Sequence, residues 1–537
     1  MSKDNPDTKY ENVHWADNSA KRVLEEFPNE EVYTVASGIT PSGIIHFGHF
    51  REILTSELVR RALERKGKKT HFIYSWDSYD AFRKVPKNVP ESWKEYLRLP
   101  VAKVPHPNDT QNSYGEHYMK DAEEVMGNFH FPIEYQWQHK LQTSGIYAEG
   151  IKNHLNKLKE IKELINSFRS EDRKLTDDWF PIELYSEKTG KDEVEILDYD
   201  GNYSITYRCL ETGFENTIDF RKTPIVKLRW RLDWPMRWNH FKVTFEPGGK
   251  DHSTPGGSYD TGKDIIQIVS NRKAPVYTFY NFVGMKGFGG KISSSTGTGA
   301  TLRDGLEIYT PDLILYMFAS TRPNAEMTLS FDADVIKIYE DFDKLERLYY
   351  GLEEESNPKK LETLKRTYEL SQVDYGEGLE PQKEIPFQPS FRHLTTVVQA
   401  NNFDEKKVLD YYNEFLKTDF DKRRIIQRMK CAENWLKNFA PEEMRFSINN
   451  SLTEDFIDNL TNQEKEIVKE VRDILMKIND PQTLFGEFKK IIESQNYNTQ
   501  SFFKLMYKIV INKEKGPKLA GFMIDNKSKV IALLNQI

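Results

Sequence analysis

The sequence predicts an α/β protein: a doubly wound parallel sheet with a β/α insertion, followed by an all-α C-terminal region. Three observations predict it. Residues 31–77 follow a strand–loop–helix–strand pattern, residues 181–222 contain short β-like runs separated by turns, and amphipathic helical patterns dominate from about residue 335 onward.

The first of these patterns has short joints between its elements. Residues 31–36 and 70–76 have the β-branched and aromatic composition of strands, whereas apolar residues recur at helical spacing between residues 48 and 65. Gly67 then supplies a helix stop. Strand, helix and strand with short joints indicate a Rossmann-type parallel sheet, in which ligands bind beyond the carboxyl ends of the strands.

The same periodicities predict the remaining elements. Residues 84–112 contain five prolines and are typical of a loop with short helices, and residues 373–391 are typical of a linker. We expect a charged helix at 149–170, strands at 242–245 and 274–283, and helices at 259–269 and 404–417.

Composition bounds the class of protein. Of 537 residues, 38% are apolar and 30% are charged, which fits a soluble globular protein. The chain has no apolar run of the roughly 18 residues that a membrane span needs. The N-terminus lacks an apolar signal region, and two cysteines, Cys209 and Cys431, do not make a disulfide framework, so we expect a cytoplasmic protein. The net charge of −7 does not indicate nucleic-acid binding, although clustered basic residues can still bind RNA.

The loop between the first strand and its helix reads Thr40-Pro41-Ser42-Gly43-Ile44-Ile45-His46-Phe47-Gly48-His49. A helix N-terminus offers unpaired N–H groups and the positive end of a dipole, which suits phosphate. His46 and His49 are three residues apart, so both can donate hydrogen bonds to a transferring phosphoryl group. The simpler alternative is that they only cap and pack the helix; the strand–loop–helix context favours the phosphate site.

A second loop, after the strand predicted at 274–283, reads Gly290-Lys291-Ile292-Ser293-Ser294-Ser295. Lys291 is a mobile cation, and the serines bring hydroxyl and N–H donors that can follow charge as it develops on phosphorus. Alone, such a loop is equally typical of a flexible surface segment. Two phosphate-binding loops in this order indicate ATP-driven activation of a carboxylate.

The two loops resemble the HIGH and KMSKS signatures of class I aminoacyl-tRNA synthetases, and the chain more specifically resembles the class I lysyl-tRNA synthetases. The blocks that carry this resemblance are 35–43, 74–80, 231–238, 249–252, 256–261, 286–295 and 515–519. They span nearly the whole chain. His49 stands where many relatives carry Asn, and Ser294 stands where the general signature has its second lysine, as in the lysyl enzymes. The second phosphate cation must then come from elsewhere, and Lys286 is a candidate.

The resemblance implies a reaction in two steps that uses ATP and Mg²⁺. Lysine and ATP give a lysyl-adenylate and pyrophosphate, and the lysyl group then passes to the 3′-terminal adenosine of tRNA(Lys), releasing AMP. His46, His49 and Lys291 would be catalytic. The ATP-binding residues would be Pro41, Ser42, Gly43, His46, Gly48, His49, Lys291, Ile292, Ser293, Ser294 and Ser295.

The residues expected to shape the lysine site are Gly38, Thr40, Asp77, Tyr79, Trp230 and His252. A substrate ammonium group should not be buried without a carboxylate or a ring of oxygen acceptors. Asp77 is the first choice as its partner because it lies at a strand end, and Asp80, Asp251 and Glu246 compete for the role.

Aromatic side chains are expected on both sides of this site. Trp230 and Tyr79 can flank the aliphatic stem or the cation of lysine. For Trp234 and Trp238 we expect core packing instead.

The insertion departs from the family pattern. Many relatives have paired cysteines there, in a ribbon-like zinc site, whereas the corresponding turns at 185–190 and 209–213 contain only Cys209 and no histidine. One cysteine cannot complete a four-ligand site, so we expect no structural zinc.

By resemblance, the helical C-terminal region would recognise the anticodon end of the tRNA. The candidate tRNA-binding residues are Lys422, Arg423, Arg424 and Arg428, with Lys430 beside them. They repeat over about two helical turns and could form a basic stripe. A solvated helix face is the alternative.

We expect a monomer with no membrane partner and with six regions. These are an N-terminal segment (1–30), the first half of the Rossmann catalytic domain (31–100), a connective insertion (101–240) that includes a metal-free ribbon-like part (181–222), the second half of the catalytic domain with the KISSS loop (241–320), a connecting helical region (321–390) and a C-terminal helical anticodon-binding domain (391–537).

Other functions compete with a lysyl enzyme. A glutamyl-type class I ligase can share a helical C-terminal region, but the blocks at 74–80 and 249–252 favour lysine. An RNA-binding paralogue without catalysis is disfavoured by the intact His46, His49 and Lys291. A small-molecule ligase of the same superfamily needs no helical appendage of about 200 residues.

Overall fold

Five parallel strands form the central sheet, and their carboxyl ends define where the candidate site lies. The computed structural model describes residues 14–86, 89–286, 288–291 and 301–537. With strands and helices numbered in chain order, the sheet consists of β10 (Val276–Tyr280), β9 (Val243–Gly249), β1 (Val32–Ile39), β2 (Lys69–Trp76) and β3 (Ile133–Trp137), in that spatial order. All four pairings are parallel, so the predicted α/β fold class is confirmed.

The two strands predicted from residues 31–77 lie side by side in register. Val32 pairs with Lys69 and Ile39 with Trp76. Both strands therefore end at the same edge of the sheet, and the backbone leaves it at residues 40 and 77. Most of β1 is buried, as expected for a strand covered on both faces.

Helices cover this sheet. They are α1 (Trp15–Glu26), α2 (Phe47–Arg65), α7 (Trp230–His240) and α8 (Ser258–Ser270). Trp234 and Trp238 of α7 and Ile266 of α8 pack against Ala36, Ile73 and Val243 of the sheet. The helix α2 ends at Arg65, with Lys66 as its C-cap, and Gly67 follows at φ +73°, the left-handed conformation that the predicted stop requires.

The insertion combines helices with a small antiparallel sheet. Its helices are α3 (Tyr114–Met126), α4 (Gln138–Thr143), α5 (Ala148–Leu155) and α6 (Leu158–Ser167). Its strands are β4 (Ile182–Leu184), β5 (Val194–Tyr199), β6 (Ser204–Cys209), β7 (Glu215–Asp219) and β8 (Val226–Leu228). Strands β5, β6 and β7 form one sheet, and β4 pairs with β8. The single helix predicted at 149–170 is wrong, because the chain breaks between α5 and α6.

The strand predicted at 274–283 is also divided. After β10 the chain enters a second sheet, ordered β12-β11-β13, with β11 (Val283–Met285), β12 (Phe288–Lys291) and β13 (Met327–Leu329). Helices α9 (Leu302–Leu306), α10 (Pro311–Ser320), α11 (Asp334–Tyr349) and α12 (Pro358–Leu370) follow β12 along the chain.

The C-terminal part is helical, as predicted. Its helices are α13 (Phe391–Ala400), α14 (Glu405–Tyr412), α15 (Asp419–Asn438), α16 (Glu454–Asp458), α17 (Asn462–Lys477), α18 (Pro481–Ser494), α19 (Thr499–Ile511), α20 (Leu519–Asp525) and α21 (Lys527–Leu534). The helix predicted at 404–417 is shorter than expected, because α14 ends at Tyr412. A core that includes Ile467, Phe488 and Phe502 joins helices α17, α18 and α19.

The chain divides into two compact units. One comprises Met1–Leu306, Pro311–Leu329 and Lys344–Lys383, and the other comprises Glu307–Thr310, Ser330–Asp343 and Glu384–Ile537. The connecting region predicted at 321–390 is therefore split between the units. Among the described residues, no helix is long and apolar enough to cross a membrane.

Candidate active site

Two histidines sit at the N-terminus of α2, beyond the carboxyl end of β1. His46 is the N-cap, and its Nδ1 accepts a hydrogen bond from the Gly48 N–H at 3.0 Å. The rings of His46 and His49 stack with centroids 3.8 Å apart. A Cβ at position 48 would lie 2.8 Å from the His46 ring, so glycine is what lets this ring close over the helix end. His46 therefore does cap the helix, and both imidazoles still lie at the helix N-terminus, whose N–H groups and dipole suit a phosphate.

The backbone of His46 also forms an antiparallel bridge with Thr301. Thr301 is the first described residue after the second loop, and the strand β12 that carries Lys291 at its end pairs with β11. The chain after the KISSS motif therefore returns to the helix end that carries His46. Ile292, Ser293, Ser294 and Ser295 lie outside the described residues, as does the side chain of Lys291.

The first loop is anchored from the insertion. The Tyr114 hydroxyl on α3 donates to the Ser42 carbonyl at 3.1 Å. Pro41 and Gly43 are buried and Ser42 is exposed. Their role in ATP binding stays a prediction.

A buried pocket lies against β1, β2 and β9 of the central sheet and reaches Asp77, the first residue after β2. The residues that line it include Ala36, Gly38, Asp77, Trp230, Arg237 and Glu246. Its volume of about 20 Å³ is room for one water molecule, so an amino-acid side chain enters only if a wall moves. Three residues predicted for the lysine site, Gly38, Asp77 and Trp230, meet here.

Asp77 does not have the free carboxylate that the sequence predicted. Arg237 Nη1 donates to its Oδ1 at 2.7 Å, and both side chains are buried. The same guanidinium lies 3.1 Å from Asp233 Oδ2, one turn earlier on α7. The choice of Asp77 as the ammonium partner stays a prediction, and in this structure a protein cation already pairs with that carboxylate.

Asp80 is likewise occupied. Thr40 Oγ1 donates to its Oδ2 at 2.7 Å, and the Lys227 ammonium bonds its Oδ1. Burial alone would raise the pKa of Asp80, but Lys227 and Thr40 reverse the effect and hold it below its ordinary value. Thr40 thus acts on the site through Asp80.

The predicted aromatic residues separate into two groups. Trp230 lines the pocket, stacks on Trp234 with centroids 5.1 Å apart, and lies 6.0 Å from the His252 ring. Tyr79 is instead packed against Tyr185 in a small cluster and does not line this pocket, so its contact with lysine stays a prediction. Trp234 and Trp238 pack in the core as expected and also form part of the pocket wall.

Two buried glutamates complete the site. Glu52 on α2 accepts hydrogen bonds from the Gly38 N–H at 2.7 Å and the Tyr280 hydroxyl at 2.6 Å. Glu246 on β9 accepts one from Trp238 Nε1 at 2.6 Å. Burial raises the pKa of Glu52 to about 8 and that of Glu246 to about 7. Sequence reasoning missed Glu52; a charged residue on a helix rich in apolar residues was the available signal.

In the insertion, hydroxyl groups surround Cys209, the one cysteine at the position of the relatives' zinc site. Cys209 is fully buried at the end of β6, and its Sγ lies 3.9 Å from Thr189 Oγ1. Burial alone would raise the pKa of the Cys209 thiol, but hydrogen bonds to Ser186 and Thr212 lower it to about 7. Absence of zinc stays a prediction.

The basic stripe on α15 is only partly on the surface. Arg428 is fully buried, with its guanidinium 2.6 Å from Asp343 Oδ1, and Arg424 is buried as well. Their burial does not support a contact with a phosphate backbone, and their role in tRNA binding stays a prediction. Lys422 and Lys430 are exposed and Arg423 is half-buried.

Comparison with known proteins places the chain among synthetases. A family model described as tRNA synthetases class I (K) matches residues 13–374. A lysine–tRNA ligase of Borrelia garinii subsp. bavariensis is 43% identical over 97% of this chain and 99% of its own length. A lysine–tRNA ligase of Thermococcus kodakarensis is 38% identical over 97% and 99%. A solved glutamate tRNA ligase from Elizabethkingia meningosepticum overlaps 94% of this chain and 99% of its own at 12% identity, with a TM-score of 0.43, which supports no inference.

Proposed function

The chain belongs to the class I lysyl-tRNA synthetase family, and from this premise we propose that it ligates L-lysine to tRNA(Lys) through a lysyl-adenylate. The observation that carries the proposal is the stacked pair His46 and His49 at a helix end whose backbone meets Thr301. A pocket lined by acidic side chains lies beside the neighbouring strand ends.

In the first step, a carboxylate oxygen of lysine attacks the α-phosphorus of ATP. The new P–O bond forms as the bond to the β-phosphate oxygen breaks, and pyrophosphate leaves with the bonding electrons. The imidazoles of His46 and His49 donate hydrogen bonds to the phosphoryl oxygens as negative charge develops there. The α2 N-terminus adds its dipole to the same charge.

Magnesium enters with the nucleotide as MgATP. Among the described residues no cluster of three or more acidic, His or Cys side chains forms a ready metal site. This matches the usual mode of Mg²⁺ binding, in which substrate phosphates and waters supply most ligands. Lys291 would contact the same phosphates from the second loop.

In the second step, a ribose hydroxyl of the terminal adenosine attacks the carbonyl carbon of the lysyl-adenylate. The ester bond forms, the mixed anhydride C–O bond breaks, and AMP leaves while the hydroxyl proton is lost. The unit that contains residues 384–537 would hold the anticodon end, with Lys422, Arg423 and Lys430 on its surface as candidates. We also propose a cytoplasmic monomer.

The proposal is tested with the purified full-length chain and tRNA(Lys) transcript. We expect lysine-dependent formation of acid-stable lysyl-tRNA and no charging with glutamate. Charging with glutamate, or none with any amino acid while the protein remains folded, would overturn the proposal.

A further inference from the structure

The pocket beside β1, β2 and β9 contains a buried carboxylate that is not matched by a cation. Of the acidic groups around it, Asp80 bonds Lys227 and Asp77 bonds Arg237. Glu52 has neutral donors, an N–H and a phenol. Glu246 accepts a hydrogen bond from the indole N–H of Trp238, and the indole N–H of Trp234 also lies beside it.

Glu246 differs from Glu52 in lining the pocket itself. It is 9% exposed, and among the described residues no Lys, Arg or His nitrogen lies within ion-pair distance of it. A buried ionised carboxylate without a counter-charge is costly, so Glu246 becomes fully ionised there only beside a ligand that brings one.

The charge balance of the surrounding cluster points the same way. Asp77 and Asp233, together with Asp80 and Glu246, face two protein cations, the guanidinium of Arg237 and the ammonium of Lys227. Arg237 already contacts the first two carboxylates. A cationic ligand beside Glu246 would correct the deficit, whereas an anionic one would deepen it.

The pocket walls fit a cation on an aliphatic stem. The indole rings of Trp230, Trp234 and Trp238 line the pocket, and adjacent rings lie 5.1 Å and 4.7 Å apart. Indole faces favour both methylene groups and a nearby ammonium. Gly38 also lines the pocket at the end nearer the catalytic histidines, because it lies in β1 before the loop that leads to His46.

We propose that Glu246 is the specificity-determining residue that receives the ε-ammonium group of lysine, with the three indoles around the stem. The inference rests on the proposed function and adds the identity of the ammonium partner. The Asp77–Arg237 pair then has a positioning role: it holds α7, and with it the tryptophan wall, against the strand ends.

The protonation state of the empty site supports this assignment. Burial raises the pKa of Glu246 to about 7, so much of the population is neutral without ligand. Binding of the ammonium group favours the carboxylate form and releases that proton. Without substrate, protonation avoids burying an unpaired charge; with lysine bound, the same side chain can form an ion pair.

The test compares Glu246→Gln with wild type in amino-acid-dependent ATP–pyrophosphate exchange. The amide keeps the shape and the acceptor for Trp238 but loses the charge. We expect the KM for lysine to rise by about 100-fold or more, with the KM for ATP within about threefold of wild type. Discrimination between lysine and norleucine, which lacks the ammonium, should fall by a similar factor.

The matched control is Glu346→Gln, the same change in a fully buried glutamate that accepts a hydrogen bond from Tyr368 away from the pocket. It should leave the KM for lysine unchanged. A lysine KM within about threefold of wild type in folded Glu246→Gln would overturn the inference. Absence of lysine-dependent exchange in the wild-type protein would instead overturn the proposed function, so the two failures are distinguishable.

A second variant keeps the proposal testable if Glu246→Gln does not fold. Glu246→Asp retains the carboxylate but places it one methylene group closer to the backbone and farther from the pocket. We expect the ratio of kcat/KM for homolysine, which is one methylene longer, to that for lysine to increase at least about tenfold relative to wild type. An unchanged ratio would show that the ammonium group does not reach this carboxylate.

Discussion

The stacked imidazoles at the α2 N-terminus are expected to act on the transition state and not only on the helix. His49→Ala should lower kcat in the exchange reaction by about 10²–10³-fold with little change in substrate KM, because a donor to a transferring phosphoryl group is lost. Steady-state exchange assays with lysine and ATP varied in turn would measure this.

His46 needs a variant that separates its two roles. His46→Asn keeps a good N-cap acceptor for the Gly48 N–H but removes the imidazole, so we expect a similar fall in kcat with nearly unchanged stability. His71→Ala on β2, where the imidazole is 40% exposed, is the control. If both active-site variants turned over like wild type, these imidazoles would have only a structural role.

The raised pKa values of Glu52 and Glu246 give a pH prediction. Each binds a proton more tightly in the folded chain than at its ordinary value of 4.5, so each stabilises the fold fully below about pH 4.5. That contribution is lost as pH rises to about 7 for Glu246 and about 8 for Glu52. Buried His14 and His154, with pKa values lowered to about 4, act in the opposite direction.

A comparison of wild type with Glu246→Gln isolates the contribution of Glu246 to the pH dependence of folding stability. The free energy of unfolding of wild type minus that of the variant should decrease between pH 5 and 7 without lysine, by roughly 1.4 kcal/mol per pH unit at most. Urea unfolding at several pH values measures it. A difference that increased with pH would mean that Glu246 is ionised in the empty pocket.

At the scale of elements, helix α15 carries both buried charges that hold the fold and more exposed charges that are candidates for tRNA binding. Arg428→Ala should destabilise the protein by about 3–5 kcal/mol, because it leaves Asp343 buried without its partner. The double variant of Lys422 and Arg423 to Ala should keep its stability but raise the KM for tRNA and flatten its salt dependence. Unchanged tRNA kinetics in that variant would remove this face from the tRNA contact.

The small sheet of the insertion is expected to be stable without metal. Purified protein should contain well below one zinc per chain, and prolonged chelation should leave the melting temperature unchanged. Cys209→Ser should cost less than about 1–2 kcal/mol, because Ser186, Thr189 and Thr212 already surround the site with hydroxyl groups. Stoichiometric zinc whose removal unfolds the protein would contradict this.

Local patterns predicted most elements but not their breaks. The strand–loop–helix–strand unit was predictable because apolar periodicity and Gly67 are local signals. The break between α5 and α6 was not, since the charged run 149–170 continues through it. Helix α2 carries apolar residues at helical spacing and also buries Arg51, Glu52 and Glu57, a fact that depends on the elements packed around it.

Over the whole molecule, the site depends on contacts between distant segments. The sequence indicated both phosphate loops. It did not predict the backbone bridge between His46 and Thr301, because these residues are far apart along the chain. The sequence also suggested Asp77 as the ammonium partner, from its place at a strand end. Arg237 lies 160 positions later and pairs with this carboxylate only because α7 packs on the sheet. Buried ion pairs are set by tertiary packing, so a single sequence cannot tell which carboxylate stays free.

The central claim is that this active site activates lysine with ATP, and amino-acid-dependent ATP–pyrophosphate exchange tests it most directly. With the full-length chain, assayed with and without tRNA, we predict exchange stimulated by lysine and not by glutamate. Exchange stimulated by glutamate and not by lysine would contradict the account.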